Sequence, residues 1–361
     1  MNKERPMRIL HIVESFSTGV YAVVRDLSCG LDPDSFTMHI IYSLRSDSPQ
    51  NIEEDFPGAH ITLEYIPMGS WQSYIPAMRK IRRSAAKFSP DVVHCHSSKA
   101  GFLGRLALKK ILKKNSRGNM FYSPHGFSFL RTDVGRFKRG VFLFLEMAVY
   151  RYTGGTIISV SPGEQTAAQR ITDRVVLIPN FIEFASLPFG QESDVPIVIT
   201  SGRISPQKNP VLFQAVAERL PDLQFRWVGD GPLRNTLTAE NIEVTGFVER
   251  QEVLEDLGKA WVYLQTSLWE GMPISLLEAM GMAKPVVVTD CIGNRDLVQN
   301  GKTGFLHSPE DVEGITTSIQ SLIDKNELRK YVGTNARAYV REHNDIESAV
   351  KQYARLYREK I

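Results

Sequence analysis

Cysteine is scarce in this chain, and so are long apolar runs. Cys29, Cys95 and Cys291 are scattered without C-x-x-C spacing, which argues against a disulfide framework or a cysteine zinc site. The longest apolar run, Val141–Tyr150, is interrupted by Glu146 and falls far short of the roughly 20 residues that a membrane span needs. The N-terminus has no signal-peptide layout. We therefore expect a cytoplasmic protein, at most peripheral at the inner face of the plasma membrane.

Low-complexity tracts are also absent, and no G-x-G-x-x-G motif follows the first strand of either half, which argues against a dinucleotide oxidoreductase. The 361 residues are enough for two domains. Residues 1–185 carry 24 Lys and Arg against 16 Asp and Glu, whereas the remainder carries 19 against 24. The basic excess is concentrated in Arg79–Arg83 and Lys109–Lys114. These segments are either solvated helix faces or a contact with an anionic membrane surface, and no nucleic-acid partner is expected.

Strand-like and helix-like segments alternate along the whole chain, which predicts α/β domains with mainly parallel sheets. The alternation is interrupted around Phe184–Val195, where no element is evident. We predict two Rossmann-like βαβ domains, residues 1–185 and 196–340, that face each other across a cleft where ligands bind. Residues 341–361 form a C-terminal helix. The predicted strands are Arg8–Val13, Thr37–Ser43, His60–Ile66, Val92–His94, Asn119–Ser123, Thr156–Val160, Ile197–Ser201, Gln224–Val228, Ile242–Thr245, Trp261–Gln265 and Pro285–Thr289.

The most informative segment runs from Glu270 to Glu278, two carboxylates that flank a Gly-Met-Pro turn and the start of an apolar helix. Pro273 suits the first helical turn, and Glu278 is expected about two turns into the helix. A helix start offers unpaired N–H groups and partial positive charge, which suit a diphosphate. One carboxylate on each side of a diphosphate suits a nucleotide sugar.

This Glu-x7-Glu pattern resembles the retaining glycosyltransferases of the GT-B type, family 4, and the resemblance covers nearly the whole chain. It implies that Glu270 holds the donor sugar and Glu278 the ribose. Arg203 and Lys208, on the loop after the first strand of the second half, would neutralise the diphosphate. His125, in Ser123-Pro-His-Gly-Phe, would contact the donor sugar. The surrounding sequence is similar to the branch that builds capsular and other surface polysaccharides, and the C-terminal helix resembles a family tail that crosses back onto the N-terminal domain.

Further positions are assigned to the donor on the same resemblance. Gly19 follows the first strand, where the family usually has two glycines and this chain has Thr18-Gly19. The remaining donor-binding candidates are Asn180, Gly229, Phe247, Val248, Gly271, Met272, Pro273, Ile274, Ser275 and Glu278.

Two patterns that could indicate a metal are interpreted as structural. His94 and His96 have no further carboxylate or cysteine at a suitable spacing, and we interpret them as residues at a strand end. Asp32-Pro-Asp34 spells a D-x-D motif but lies in a turn. No metal and no cofactor are expected.

The sequence thus predicts a retaining, metal-independent glycosyltransferase with a nucleoside-diphosphate sugar as donor, UDP on family grounds. A lipid-linked saccharide in bacterial surface-polysaccharide synthesis is the expected acceptor. The alternatives are a nucleotide-sugar epimerase on the same plan and a nucleotide-sugar-binding subunit without catalysis.

Overall fold

The computed structural model describes residues 5–45, 47–49, 51–114, 119–188 and 192–359, except for the side chains of 111–114. Residues 1–4, part of the basic Lys109–Lys114 segment and residues 189–191, within the interruption around Phe184–Val195, therefore lie wholly or in part outside the described residues. The chain forms two compact units. The first comprises residues up to Leu130, Val134–Pro179 and the segment from Ile346, and the second comprises Arg131–Asp133 and Asn180–Asp345. Apart from Arg131–Asp133, the chain thus passes from the first unit to the second between Pro179 and Asn180.

A seven-stranded parallel sheet, in the order β3-β2-β1-β4-β5-β6-β7, forms the centre of the first unit. Its strands are Met7–Val13 (β1), Phe36–Tyr42 (β2), Ile61–Tyr65 (β3), Val92–His96 (β4), Asn119–Ser123 (β5), Thr156–Ser159 (β6) and Val175–Leu177 (β7). Its helices are Thr18–Gly30 (α1), Tyr74–Phe88 (α2), Ser98–Lys114 (α3), Arg136–Thr153 (α4), Pro162–Ala168 (α5) and the C-terminal Ile346–Arg358 (α12). Because β1, β4 and β5 are adjacent, their carboxyl ends meet at the middle of one sheet edge.

The C-terminal helix α12 is part of this first unit. Gly30, at the end of α1, comes so close to Val350 that an added Cβ would lie 2.8 Å from its side chain. Tyr353 and Tyr357 are buried, and the Tyr357 hydroxyl lies 2.7 Å from His94 Nδ1 on β4. The helix therefore packs on the sheet of the first unit.

The second unit is built on a six-stranded parallel sheet in the order β10-β9-β8-β11-β12-β13. Its strands are Ile197–Ser201 (β8), Gln224–Val228 (β9), Ile242–Val244 (β10), Val262–Gln265 (β11), Val286–Thr289 (β12) and Phe305–His307 (β13). Its helices are Pro210–Arg219 (α6), Arg250–Lys259 (α7), Ile274–Gly281 (α8), Asn294–Leu297 (α9), Val312–Asp324 (α10) and Asn326–His343 (α11). The prediction of parallel-sheet α/β domains is confirmed. The edge strands β7 and β13 are elements that the sequence analysis missed.

Candidate functional site

The loop between β11 and α8 carries the segment that the sequence analysis singled out. Glu270 lies in this loop, and the residue is 7% exposed. Two details of the prediction are wrong. Pro273 has extended backbone angles and precedes the helix as its N-cap, because α8 begins at Ile274. Glu278 is consequently the fifth helical residue, little more than one turn from the start instead of two.

Glu270 is held by three donors that come from two loops. Lys208 Nζ lies 2.8 Å from Glu270 Oε1, and the Ser267 hydroxyl donates to the same oxygen at 2.8 Å. The Gln207 amide donates to Oε2 at 3.0 Å. Burial is the largest single influence on the pKa of Lys208 and lowers it. Attraction to Glu270 and the hydrogen bond with it, together with Tyr263 and Cys291, outweigh burial, so the pKa is raised above its ordinary value. The two residues that the sequence assigned separately to the phosphate and to the sugar thus form one buried ion pair.

The start of α8 has no side-chain cap among the described residues. The Asn180 amide nitrogen donates to the Met272 carbonyl at 2.7 Å, so Asn180 supports this loop. At Gly293, an added Cβ would lie 2.6 Å from the Gly271 carbonyl. The side chains of Met272 and Ile274 are buried. These residues can therefore offer only backbone groups to a ligand, and the first N–H groups of the helix have no partner within it.

Arg203 and Lys208 lie in the segment that follows β8, as the sequence indicated. Arg203 comes directly after Gly202, whose φ is 127°, and Lys208 ends a short 3-10 turn, Pro206–Lys208. Gly229 has a φ of 141°, and a Cβ there would lie 2.3 Å from the Gly202 carbonyl. Only glycine fits this approach of the loops after β8 and β9. Gly229 therefore has a packing role that would hold whether or not it contacts a ligand.

Glu278 has a partner that the sequence analysis missed. Arg250 Nη2, from the first residue of α7, lies 2.6 Å from Glu278 Oε1. The Glu278 side chain is 4% exposed and that of Arg250 is 34% exposed. The loop before α7 contains the predicted base-binding residues, of which Phe247 is half exposed. Val248 follows it and is partly buried.

Ser275 occupies the first turn of α8 beside Glu278 and the buried Tyr263. The Tyr263 hydroxyl lies 2.9 Å from the Ser275 hydroxyl. Ser275 thus has a protein partner as well as a position at the helix start.

His125, in the first unit, has a left-handed backbone with φ of 51°, which is strained for a residue other than glycine. The buried carboxylate of Glu164 holds the loop in place. It accepts hydrogen bonds from the backbone N–H of Gly126 at 2.6 Å and of Val160 at 2.9 Å. Such a conformation persists only where surrounding structure enforces it, and enforced strain is common at ligand sites.

His125 is the outer member of a histidine cluster that consists of His11, His94, His96 and His125. His96 Nδ1 lies 3.1 Å from His125 Nε2, and His96 Nε2 lies 3.0 Å from His11 Nδ1. His94 bonds instead to the hydroxyls of Tyr357 and Ser123. His96 does end its strand as predicted, whereas His94 lies inside β4.

Burial keeps the histidine cluster neutral. It lowers the pKa of His11 to about 3 and that of His125 to about 4, and it holds the pKa values of His94 and His96 well below their ordinary range. A neutral imidazole has one N–H and one bare nitrogen. His11 Nε2 has no partner among the described residues. A buried N–H without a partner is rarer than a bare acceptor, so His11 Nε2 is assigned as the bare nitrogen and His11 Nδ1 as the N–H. His11 then donates to His96 Nε2, and His96 donates from its Nδ1 to His125 Nε2.

The sequence analysis considered only carboxylates and cysteines as further metal ligands for His94 and His96, and it missed His11 from β1, which joins them. The ring nitrogens of these three residues lie within 4.8 Å of one another. Their contacts nevertheless fit hydrogen bonding better than coordination. The 3.0 Å between His11 and His96 nitrogens is shorter than the roughly 3.3 Å expected between two imidazole ligands of a tetrahedral zinc ion.

Gly19 lies in the first turn of α1, which begins at Thr18. Ser17 precedes the helix as N-cap without a side-chain hydrogen bond, so the helix start keeps its N–H groups. Glu14, in the loop just before it, is 2% exposed and pairs with Arg45 at 2.6 Å and Lys99 at 3.1 Å. The sequence analysis missed this triad of one buried carboxylate and two partly exposed cations, whose members are far apart in the chain.

Two family profiles together match most of the chain. The profile described as Glycosyltransferase Family 4 matches residues 17–185, and that described as Glycosyl transferases group 1 matches residues 183–339. The chain belongs to the group 1 glycosyltransferases. The second profile spans Arg203, Lys208, Glu270 and Glu278, so the Lys208–Glu270 and Arg250–Glu278 pairs lie within the region that it matches.

Curated relatives of this glycosyltransferase include sulfoquinovosyl transferase SQD2 from Arabidopsis thaliana, 26% identical over 80% of this chain and 61% of that protein. Another is the UDP-Gal:alpha-D-GlcNAc-diphosphoundecaprenol alpha-1,3-galactosyltransferase of Escherichia coli, 28% identical over 66% of this chain and 67% of that one. The chain thus spans about three fifths to two thirds of the length of these relatives. Anabaena Alr3699/HepE, solved with UDP and glucose, has the same fold: the TM-score is 0.79 at 20% identity, covering 97% of this chain and 99% of that one.

Proposed function

We propose that this glycosyltransferase is a retaining, metal-independent enzyme that moves a hexose from a UDP-sugar to a lipid-linked saccharide. The observation that carries the proposal is the Lys208–Glu270 pair at the uncapped start of α8, with Glu278 just over one turn further on. A cation and free N–H groups suit a diphosphate, and carboxylates on either side suit sugar hydroxyls. These groups surround one helix start, where an extended ligand with a diphosphate between two sugars would fit.

The choice of donor and acceptor is supported by what the relatives bind. The name of the Escherichia coli relative specifies a UDP-galactose donor and an acceptor linked to diphosphoundecaprenol. The Anabaena protein was solved with UDP and glucose. Such an acceptor lies in a membrane, and the product would be a growing surface polysaccharide.

We propose metal independence because side chains and backbone N–H groups would supply the positive charge that the leaving diphosphate needs. Lys208 Nζ has three donors, and Glu270 takes one, so two remain for phosphate oxygens. Arg203 and the N–H groups of α8 add further positive potential. Glu270 would then hold the transferred sugar and Glu278 the ribose.

Thermal stability with UDP, GDP and ADP tests the donor site first. A ligand at about 100 times its dissociation constant adds roughly 2.7 kcal/mol, a measurable shift. We expect UDP to stabilise the wild type and Glu278→Gln clearly less, whereas Asp290→Asn, in an exposed ion pair, should behave as wild type. No shift with any nucleotide would contradict the donor site.

Transfer itself is tested with UDP-sugars and a lipid-linked saccharide, with and without a chelator. Retained activity in the chelator and an unchanged anomeric configuration by NMR are expected. Loss of activity in the chelator that a divalent metal restores would contradict metal independence. An isomerised donor formed without acceptor would indicate the epimerase, and binding without turnover would indicate the non-catalytic subunit.

A further inference from the structure

Helix α4 turns an apolar face away from the first unit. The outward side chains are large and apolar, and they recur at helical spacing, which places them on one side. Their exposed fractions are 87% for Phe137, 39% for Val141, 68% for Phe144, 44% for Leu145, 45% for Met147 and 54% for Tyr152. Among the described residues, no other element carries as many exposed large apolar side chains. We call this surface the α4 face.

The orientation of α4 is fixed by its inner side, which holds the polar anchor. Glu146 is buried and accepts from Arg105 Nη2 at 2.7 Å and from the Tyr122 hydroxyl at 2.9 Å. Arg139 Nε donates to the Phe129 carbonyl at 3.1 Å. Rotating the helix to hide Phe137 and Phe144 would pull this ion pair apart, which is costly for a buried charge. The apolar side chains therefore stay outside.

The surroundings of the α4 face are strongly basic. Helix α3 packs between α2 and α4, and the sequences of α2, α3 and α4 contain five, six and four Lys or Arg. Two of the six in α3 are paired elsewhere, Arg105 with Glu146 and Lys99 with Glu14. Glu146 is the one acidic residue in these three helices, and it is neutralised inside the protein. On α4 itself, the exposed Arg136, Lys138 and Arg151 accompany the apolar residues. The partner of this surface must accept both apolar side chains and positive charge.

We infer that the α4 face docks on an anionic lipid bilayer. Its aromatic and aliphatic side chains enter the boundary between headgroups and acyl chains, and the flanking Lys and Arg meet the anionic headgroups. A second copy of the chain fits the surface poorly, because pairing two α4 faces would bring two positive surfaces together. No described helix is long and apolar enough to cross a membrane, and α4 would lie along the surface with its inner side still packed on the protein.

The inference differs from the membrane contact predicted from the sequence, which relied on the basic segments of α2 and α3 alone. Charge without apolar insertion gives binding that salt abolishes, whereas the α4 face adds a component that persists in salt. The docking does not depend on the proposed sugar transfer. It complements that transfer, because a lipid-linked acceptor would lie in the same membrane.

Flotation of the full-length protein with vesicles tests the docking. We expect binding to phosphatidylcholine vesicles that contain about 30% phosphatidylglycerol, and much weaker binding without the anionic lipid. Raising the salt from ~0.1 M to ~0.5 M should weaken the binding partly. Phe137→Ser/Phe144→Ser should lower the partition coefficient at least about tenfold, because each phenylalanine loses its burial in lipid. Lys138→Gln/Arg151→Gln should reduce the preference for phosphatidylglycerol.

Val211→Ser/Tyr331→Ser is the matched control, since these apolar residues of the second unit are 62% and 55% exposed. It should bind vesicles like the wild type. Undiminished binding of Phe137→Ser/Phe144→Ser, or no binding of the wild type to either vesicle, would overturn the inference. So would a dimer in sedimentation equilibrium that Phe137→Ser/Phe144→Ser dissociates, because the α4 face would then be a protein interface.

The UDP-induced thermal shift, measured on the same variants, separates this inference from the proposed function. Phe137→Ser/Phe144→Ser should keep the wild-type shift, which also shows that it is folded. A wild type that binds vesicles but shows no UDP shift would refute the donor site and leave the docking intact. The opposite result would refute the docking alone.

Discussion

The Lys208–Glu270 pair should contribute strongly to the stability of the second unit, and a double-mutant cycle can measure how much. The side chains are 15% and 8% exposed, so both charges have lost most of their water. Removing one member of a buried pair typically costs 3–5 kcal/mol, because the other charge stays behind unpaired. We therefore expect a loss of roughly 3–5 kcal/mol for Glu270→Gln. Lys208→Met should cost about 3 kcal/mol, since Glu270 keeps its bonds to Ser267 and Gln207.

The double variant Lys208→Met/Glu270→Gln should cost less than the sum of the two single variants. Neither charge is then present, and the Gln side chain can still bond to Ser267 and Gln207. Coupling energies for residues in contact run from about 0.5 to 3 kcal/mol, and a buried ion pair should lie at the upper end. At about 2–4 °C per kcal/mol for a unit of this size, each single variant should lower the melting temperature by roughly 6 to 20 °C.

Tryptophan fluorescence gives a readout that favours the second unit. Trp227, Trp261 and Trp269 belong to it, whereas Trp71 is the one tryptophan of the first unit and is 77% exposed. Asp290→Asn is the control, because its pair with Arg295 is about half exposed and should be worth at most about 1 kcal/mol. Additive costs of the single variants, or a Glu270→Gln shift no larger than that of Asp290→Asn, would refute the reasoning.

Three further predictions concern other parts of the two units. The cluster histidines take up protons near pH 6.5 in the unfolded chain but stay neutral in the folded first unit. The free energy of unfolding of this unit should therefore be at its full value above pH 6.5 and should fall as the pH drops toward 4. Each histidine that stays neutral should cost about 1.2 kcal/mol between pH 6 and 5, and hydrogen exchange of the β1 and β4 amides that is constant over this range would contradict it. Gly231→Ala should lower the free energy of unfolding, measured by urea titration, by about 1–3 kcal/mol, because its Cβ would lie 2.2 Å from the Ile204 carbonyl. Gly140→Ala, on an open helix surface, should be neutral or stabilising. Arg250→Met should lower melting but enlarge the UDP-induced shift, because ribose hydroxyls no longer compete with the guanidinium for Glu278; a smaller shift would mean that Arg250 itself contacts the nucleotide.

The order of elements was predictable because parallel sheets bury their strands as short apolar runs between amphipathic helices. Asn119–Ser123, Ile197–Ser201 and Gln224–Val228 were predicted with the bounds that the structure shows. The missed strands, Val175–Leu177 and Phe305–His307, have only three residues each and lie at sheet edges. Three partly buried residues are too few to show the alternation of apolar and polar side chains that predicts a strand. Only backbone hydrogen bonds to the neighbouring strand define these segments as strands.

The site was predictable where one loop holds all of its parts and not where loops meet. The segment from Glu270 to Glu278 is continuous, so its turn and helix start can be recognised in the sequence. The partners of its carboxylates come from other parts of the chain, Lys208 from the turn after β8 and Arg250 from the start of α7, and only the sheet order brings them within 3 Å. His11 joins His96 for the same reason, because β1 and β4 are neighbours although they are distant in sequence.

The apolar run within α4 was recognised in the sequence, but the surface that we propose for membrane docking was not. The run Val141–Tyr150 is apolar on both sides of the helix, and too short to span a membrane. A pattern of this kind normally indicates a helix buried on all sides. The buried Glu146, paired with Arg105, decides which side faces in, and that pairing joins two helices 41 residues apart. Glu146, which interrupts the apolar run, therefore keeps Phe137 and Phe144 on the outer side of the helix. Burial of these two side chains in lipid would remove their apolar surface from water.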